Sequence, residues 1–324
     1  MKTLLLLLSL SPILHTAAVD LTIEAQPLDF SLAQPIDATL VPPLSPEELK
    51  LPPINPPHKN TAVALGLSYL FPGLGHVYLD EMKTAGGLIS STLLSAGLAI
   101  SFPSQEDLFI TSLISLQTAW SYGLYSVYRD VRSFNKGSYS YKMPTDSFVD
   151  LTYAPFKFSV LKKPEVWGGL LGALSLGVAV SYFLFPPDAA IPFQTSEESS
   201  IPPYVALPVG IGEETLFRGY IQSLISENVN PWTGIALSSL AFGAAHIPNA
   251  NALEPQHRWR YYAFSLPLIT TMGAYFGWVT HKNHSLQESV AIHTWYDLII
   301  FTAGALASKA ATPGPSTFAI SFPF

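Results

Sequence analysis

The chain of 324 residues is 48% hydrophobic and only 12% charged, with a net charge of −7, and its mean hydropathy is +0.31. About half the charge density of an ordinary soluble domain excludes that class and predicts an all-α polytopic membrane protein. The lack of cysteine removes disulfides, thiol nucleophiles and thiolate metal ligands together. No basic stripe with interleaved aromatics is present, which excludes nucleic acid as a partner.

In chain order, residues 1–18 combine Lys2, an apolar run from Leu4 to Leu10 and small residues at Thr16-Ala17-Ala18, the pattern of a signal peptide. Residues 19–60 are rich in proline, so they predict an extended exocytoplasmic arm rather than a core. Accessory membrane helices are expected over 61–130: Thr61 to Tyr78, broken at Phe71-Pro72-Gly73, then Thr84 to Phe102 and Leu108 to Tyr128. His76 is expected at the interface beside that break, and Trp120, Tyr122, Tyr125 and Tyr128 as an interfacial aromatic belt. The connection 131–163 holds Arg132, Lys136, Lys142, Lys157, Lys162 and Lys163. It is expected in the cytoplasm, against anionic lipid, with the arm and the acidic 186–200 loop outside.

The second half, 164–310, predicts five more spans. Val166 to Phe185 carries Gly168 and Gly172 at small-xxx-small spacing; the others are Ile201 to Ile225, Pro231 to Ile247, Trp259 to His281 and Leu286 to Ala307. That makes about eight transmembrane helices after the signal peptide, followed by a tail, 311–324, with no assigned role. The counted depths bring Glu213, His246, His293 and Asp297 toward the middle of the bilayer. His281 and His284 flank a turn and are given no chemistry.

Three polar motifs interrupt these spans. Glu213-Glu214-Thr215-Leu216-Phe217-Arg218 lies about halfway along its segment, where a charge costs roughly 2.5–3.5 kcal/mol and is a functional candidate by default. Glu214 and Arg218 are four apart and share a helix face, so they form a structural ion pair, which leaves Glu213 as the carboxylate for chemistry. Phe242 to His246 and His293 to Asp297 each present two residues on one face.

The ordered set E-E-x-x-x-R, F-x-x-x-H and H-x-x-x-D resembles the CAAX prenyl protease and bacteriocin-processing family, also called Abi, over roughly Pro202 to Ala307. The resemblance implies an intramembrane protease with Glu213, His246, His293 and Asp297 catalytic, Glu214 and Arg218 structural, and Phe217 and Phe242 packing the motifs. Glu213 would be the general base on a water shared with His246, and His293 a donor to the oxyanion. The family's third motif most often ends in Asn; Asp297 must be protonated to donate, or else orients His293. Two versions stay open: metal-free glutamate catalysis, and a divalent metal such as zinc on Glu213, His246 and His293.

The expected function is therefore cleavage of a membrane-associated peptide or protein in a bacterial cytoplasmic membrane. The alternative is a non-proteolytic scaffold or bacteriocin self-immunity protein that keeps the polar cluster for stability. A prenyl-protease role proper is not expected, because a signal peptide and a proline-rich arm suit a bacterial envelope protein.

Overall fold

The computed structural model describes residues 58–184, 201–253 and 255–310, all helical or in turns and links between helices, with no strand among them. The signal peptide, nearly all of the arm, the 186–200 loop and the tail lie outside these residues. The first elements are α1 (Thr61–Leu70), α2 (Leu74–Tyr78), α3 (Met82–Ser101) and α4 (Glu106–Asn135). Short helices α5 (Phe148–Tyr153) and α6 (Phe158–Leu161) precede α7 (Pro164–Leu184). The motif-bearing half comprises α8 (Ala206–Glu214), a π-helical stretch Thr215–Gln222, α9 (Ser223–Asn228) and α10 (Pro231–Ala245). It ends with α11 (Arg258–Arg260), a second π stretch Tyr261–Ser265, α12 (Leu266–Asn283) and α13 (Gln287–Ala310). Two helices, Met82–Ser101 and Gln287–Leu306, are long and apolar enough to cross a membrane.

The segment from Thr61 to Tyr78 is a hairpin, not a span. Asn60 caps α1 by accepting from the amides of Ala62 and Val63, and the chain reverses at Gly73, whose φ of +98° suits glycine. The returning α2 packs so closely that a Cβ on Gly75 would clash with the Ala64 carbonyl oxygen. Tyr78 thus comes back beside the start: its carbonyl accepts from Lys59 Nζ at 2.8 Å, and its hydroxyl accepts from the Asn60 amide at 3.0 Å.

This hairpin corrects the expected topology. Asn135, at the end of α4, exchanges two hydrogen bonds of 2.9 Å with the Lys59 backbone. Residue 59 and the start of the 131–163 connection therefore lie at the same end of the bundle, and cannot be on opposite sides of a membrane. That end also holds Lys142, whose carbonyl meets His284 Nδ1 at 3.0 Å, and Lys282, 3.1 Å from Glu165.

The basic connection is less polar and less free than its composition suggests. Glu227 accepts from the Ser140 and Tyr141 amides at 2.8 and 3.0 Å and pairs with Arg132 at 3.0 Å. Lys157 reaches Asp150 and Gln287, and Lys163 reaches Asn283 and Glu288. Buried Asp146 accepts from the Leu286 amide at 2.7 Å and from Ser285 Oγ at 3.1 Å, so the first turn of α13 is capped by a distant segment. Phe148, Val149, Tyr153, Phe156 and Phe158 point outward from the folded-back stretch.

Three further expectations change. Tyr122, Tyr125 and Tyr128 are buried instead of forming a belt; Tyr122 Oη accepts from the Phe148 amide and Tyr125 Oη donates to the Asp146 carbonyl, at 2.9 and 3.1 Å. His76 is fully buried, 3.0 Å from Ser126 Oγ and 3.5 Å from Asp130. Close approach on α7 falls to Gly169, where a Cβ would meet the Tyr275 ring at 2.5 Å, whereas one on Gly172 meets nothing within 4 Å.

Candidate active site

The site forms where α8 and its π continuation meet the end of α10, the middle of α12 and the first half of α13. Glu214 and Arg218 lie at its base, both wholly buried. Arg218 Nη1 donates to Glu214 Oε1 at 3.0 Å, and Nη2 donates to the Gly273 carbonyl at 3.0 Å. The guanidinium lies over Phe242, 4.2 Å from the ring centroid, and 5.4 Å from that of Phe276. The Phe217 and Phe242 rings meet edge to face at 5.1 Å. Close helix approach is what admits this layer: a Cβ on Gly273 would be 3.1 Å from Arg218 Nη2 and from the Phe242 ring.

Glu214 has a second partner that helix spacing does not reveal. Its Oε1 also accepts from His293 Nδ1 at 2.8 Å, so the carboxylate orients the imidazole as well as neutralising Arg218. The His293 ring stacks on Phe276 at 5.4 Å and 29°. Gly210 lets α13 close on α8, since a Cβ there would lie 2.8 Å from Thr294 Oγ1. His246, just past α10, is held similarly: Nδ1 donates to the Phe242 carbonyl at 2.8 Å. A carbonyl can only accept, so the proton is on Nδ1 and Nε2 is left bare in the neutral ring. The His246 carbonyl accepts from Tyr261 Oη at 3.0 Å. The next residues, Ile247–Ala252, form 3₁₀ turns rather than continuing the α-helix.

Both imidazoles aim Nε2 at Glu213. Its Oε2 is 4.0 Å from His246 Nε2 and 3.7 Å from His293 Nε2, and Asp297 Oδ2 is 3.5 Å from the latter. Glu213 retains 18% side-chain exposure where Glu214 has none. Its Oε2, like Asp297 Oδ2, is buried without a hydrogen-bond partner among the described residues, a position that a bound water or ligand would satisfy. All four expected catalytic residues thus come together. Gly210, Gly273 and Phe276 went unnoticed because each acts across helices, with no local pattern to mark it.

The donor types around Glu213 suit a divalent cation, yet among the described residues no three of His, Cys, Asp or Glu are placed to hold one.

Carboxylates and imidazoles gathered between apolar helices are costly to place there and mark a functional site. Residues 199–299 match the family model described as Rce1-like, type II CAAX prenyl endopeptidase Rce1-like. The resemblance read from the three motifs therefore holds over this stretch, and the family is one of membrane proteases. No curated protein and no solved structure matches the chain.

Proposed function

We propose that the chain is a multi-pass intramembrane endopeptidase that cleaves a membrane-associated peptide or protein with a water activated by Glu213. The observation that carries this reading is the convergence of Glu213 Oε2 with Nε2 of His246 and His293 at 4.0 and 3.7 Å, each imidazole being turned there by a bond at its Nδ1. A scaffold has no use for an unpartnered carboxylate oxygen between two oriented imidazoles.

In this reading Glu213 takes the proton of a water also held by bare His246 Nε2, and the hydroxide attacks the scissile carbonyl carbon. The oxyanion then needs a donor. His293 Nδ1 already donates to Glu214, so donation from Nε2 requires the imidazolium, which three carboxylates face. Asp297, 3.5 Å from Nε2, stabilises that cation by its charge and leaves the single Nε2 proton for the oxyanion, an electrostatic role instead of the donor role Asn would have. Glu213 finally returns its proton to the leaving amine.

Seven crossings replace the expected eight, because the α1–α2 hairpin turns back. The orientation follows from Lys and Arg near helix ends. One end gathers Lys59, Lys83, Arg129, Arg132, Lys136, Lys142, Lys157, Lys163 and Lys282, and the other has Arg258, Arg260 and Lys309. We place the basic end in the cytoplasm, so His58 is cytoplasmic and not the end of an exocytoplasmic arm. A bacterial inner membrane as the setting rests on the envelope-type signal pattern of residues 1–18, a reading that now conflicts with this orientation.

The test compares membrane peptides from cells making the intact protein or Glu213→Gln, together with metal content of the purified protein. Peptides lost only with Glu213→Gln, from protein that is active without bound metal, are expected. Identical peptides from both would overturn the protease reading; activity that vanishes with chelator and returns with zinc would replace the water-only mechanism.

A further inference from the structure

On the bundle surface behind α8, α3, α4 and the start of α5 line a cavity of about 530 Å³, within the roughly 300–1,000 Å³ typical of small-molecule sites. Its walls are Leu88, Ala119, Tyr122, Phe148 and Val149, with Pro208 of α8 at the bottom and a few hydroxyls, Ser91, Ser115 and Thr118 among them. Lys83 stands at the rim. It is exposed, and it makes no hydrogen bond or ion pair with any described residue. Glu81, two residues earlier, lines a separate small cavity with Asp130 and Ser133.

The polarity of the cavity follows the membrane axis. Lys83 is the second residue of α3, which begins at the basic end, and Ser91 lies eight residues deeper, about 12 Å along the helix. The side toward the surrounding medium is open: a Cβ on Gly86 or Gly87 would meet no atom within 4 Å. The rim thus offers one uncompensated cation at the level of headgroups, above an apolar slot that descends about as far as part of an acyl chain. A peptide would leave its backbone amides unsatisfied against these walls, whereas an acyl chain has none.

We propose that this cavity binds an anionic phospholipid of the surrounding bilayer, its acyl chain in the slot and its phosphate-bearing headgroup on Lys83. The proposal rests on the bundle being membrane-embedded. The bottom of the slot is also the back of the helix that carries Glu213: Thr118 Oγ1 donates to the Pro208 carbonyl at 2.8 Å, and a Cβ on Gly212 would be 3.1 Å from Thr118 Oγ1. A bound chain would therefore pack directly behind that helix.

The experiment uses delipidated full-length Glu213→Gln protein, so the readout needs no turnover and fails independently of the protease reading. Phosphatidylglycerol and phosphatidylcholine with the same chains are titrated in separate detergent samples and retained lipid is counted by native mass spectrometry. One lipid should be held, with about fivefold preference for phosphatidylglycerol, the worth of one lysine near the membrane surface. Lys83→Gln should erase the preference but keep the lipid. Gly87→Leu, which fills open space without a clash, should release both lipids while leaving the melting temperature unchanged. Retention by Gly87→Leu equal to the parent, or an undiminished preference in Lys83→Gln, would overturn the proposal. So would displacement of the lipid by glycerol phosphate alone, which would assign the site to a free phosphate compound.

Discussion

The adjacent glutamates should respond in opposite ways to the same conservative change. Arg218 Nη1 and His293 Nδ1 both donate to one oxygen of Glu214, Oε1, while Oε2 has no hydrogen-bond partner among the described residues. A glutamine at 214 can keep its carbonyl at Oε1 and preserve both bonds, so Glu214→Gln removes charge and little else. What remains is a fully buried guanidinium without its ion-pair partner, a defect of about 3–5 kcal/mol. For a bundle of this size that corresponds to a fall of roughly 10 °C in melting temperature. Glu213→Gln removes no such partner, and relieves one of three carboxylates clustered near His293. It should melt at or above the parent temperature while losing cleavage. The assay is a thermal melt of detergent-purified protein paired with one cleavage measurement per variant. If Glu214→Gln melts with the parent, or Glu213→Gln falls by as much as Glu214→Gln is expected to, the division of labour between the two is wrong.

Asp297→Asn should retain measurable cleavage, because an amide oxygen 3.5 Å from Nε2 of His293 still turns the negative end of a dipole toward the imidazolium; complete inactivity with normal melting would show that the full charge is required. Cysteines placed singly at His58 and Ser138 should react with an impermeant maleimide from the same side of sealed vesicles, and a cysteine at Gln105 from the other. Reaction of His58→Cys and Ser138→Cys from opposite sides would refute the hairpin. Burial works against the Glu227 carboxylate, yet the Ser140 and Tyr141 amides and Arg132 outweigh it and hold its pKa below the ordinary value. Its contribution is accordingly present at neutral pH and lost as pH falls through that lowered value. An acid-active protease should cut between Lys136 and Met143 more readily as pH drops below about 4, and Glu227→Gln should be cut at every pH; a parent profile flat with pH would refute the staple.

Much of the helix layout was legible because apolar run length and the Pro72-Gly73 break report directly on helix extent. The three motifs were legible because ionisable residues inside such runs are costly and therefore conspicuous. Facing was not. A tyrosine stripe on α4 has the same pattern whether it meets lipid or protein; Tyr122 and Tyr125 turn inward because Phe148 and Asp146 supply backbone partners from a distant loop, and Tyr128 meets the Tyr220 ring. Nor does spacing tell which glycine is pressed: Gly169 is singled out only by Tyr275 opposite. The second bond of Glu214 links residues 79 apart in sequence, so no local period could show it.

The π stretch Thr215–Gln222 begins directly after the two glutamates and contains Arg218. A π turn behaves as an α-helix with one residue too many, and such turns recur at functional sites. Two hydroxyls attend its carbonyls, Ser238 Oγ donating to Phe217 at 2.7 Å and Ser223 Oγ to Arg218 at 3.3 Å. The chain here is therefore sensitive to deletion in a way that point substitution does not expose. Removing a single residue between Gly219 and Gln222 would let the stretch relax to ordinary α geometry, with the helix beyond it kept in register while the residues inside the stretch lose their places. Gln222 would leave the Gly277 carbonyl it now meets at 2.9 Å, and Gly219 the face of Tyr125 against which it is pressed. A shorter, more regular helix would be easier to form yet would give up the contacts that hold it against its neighbours.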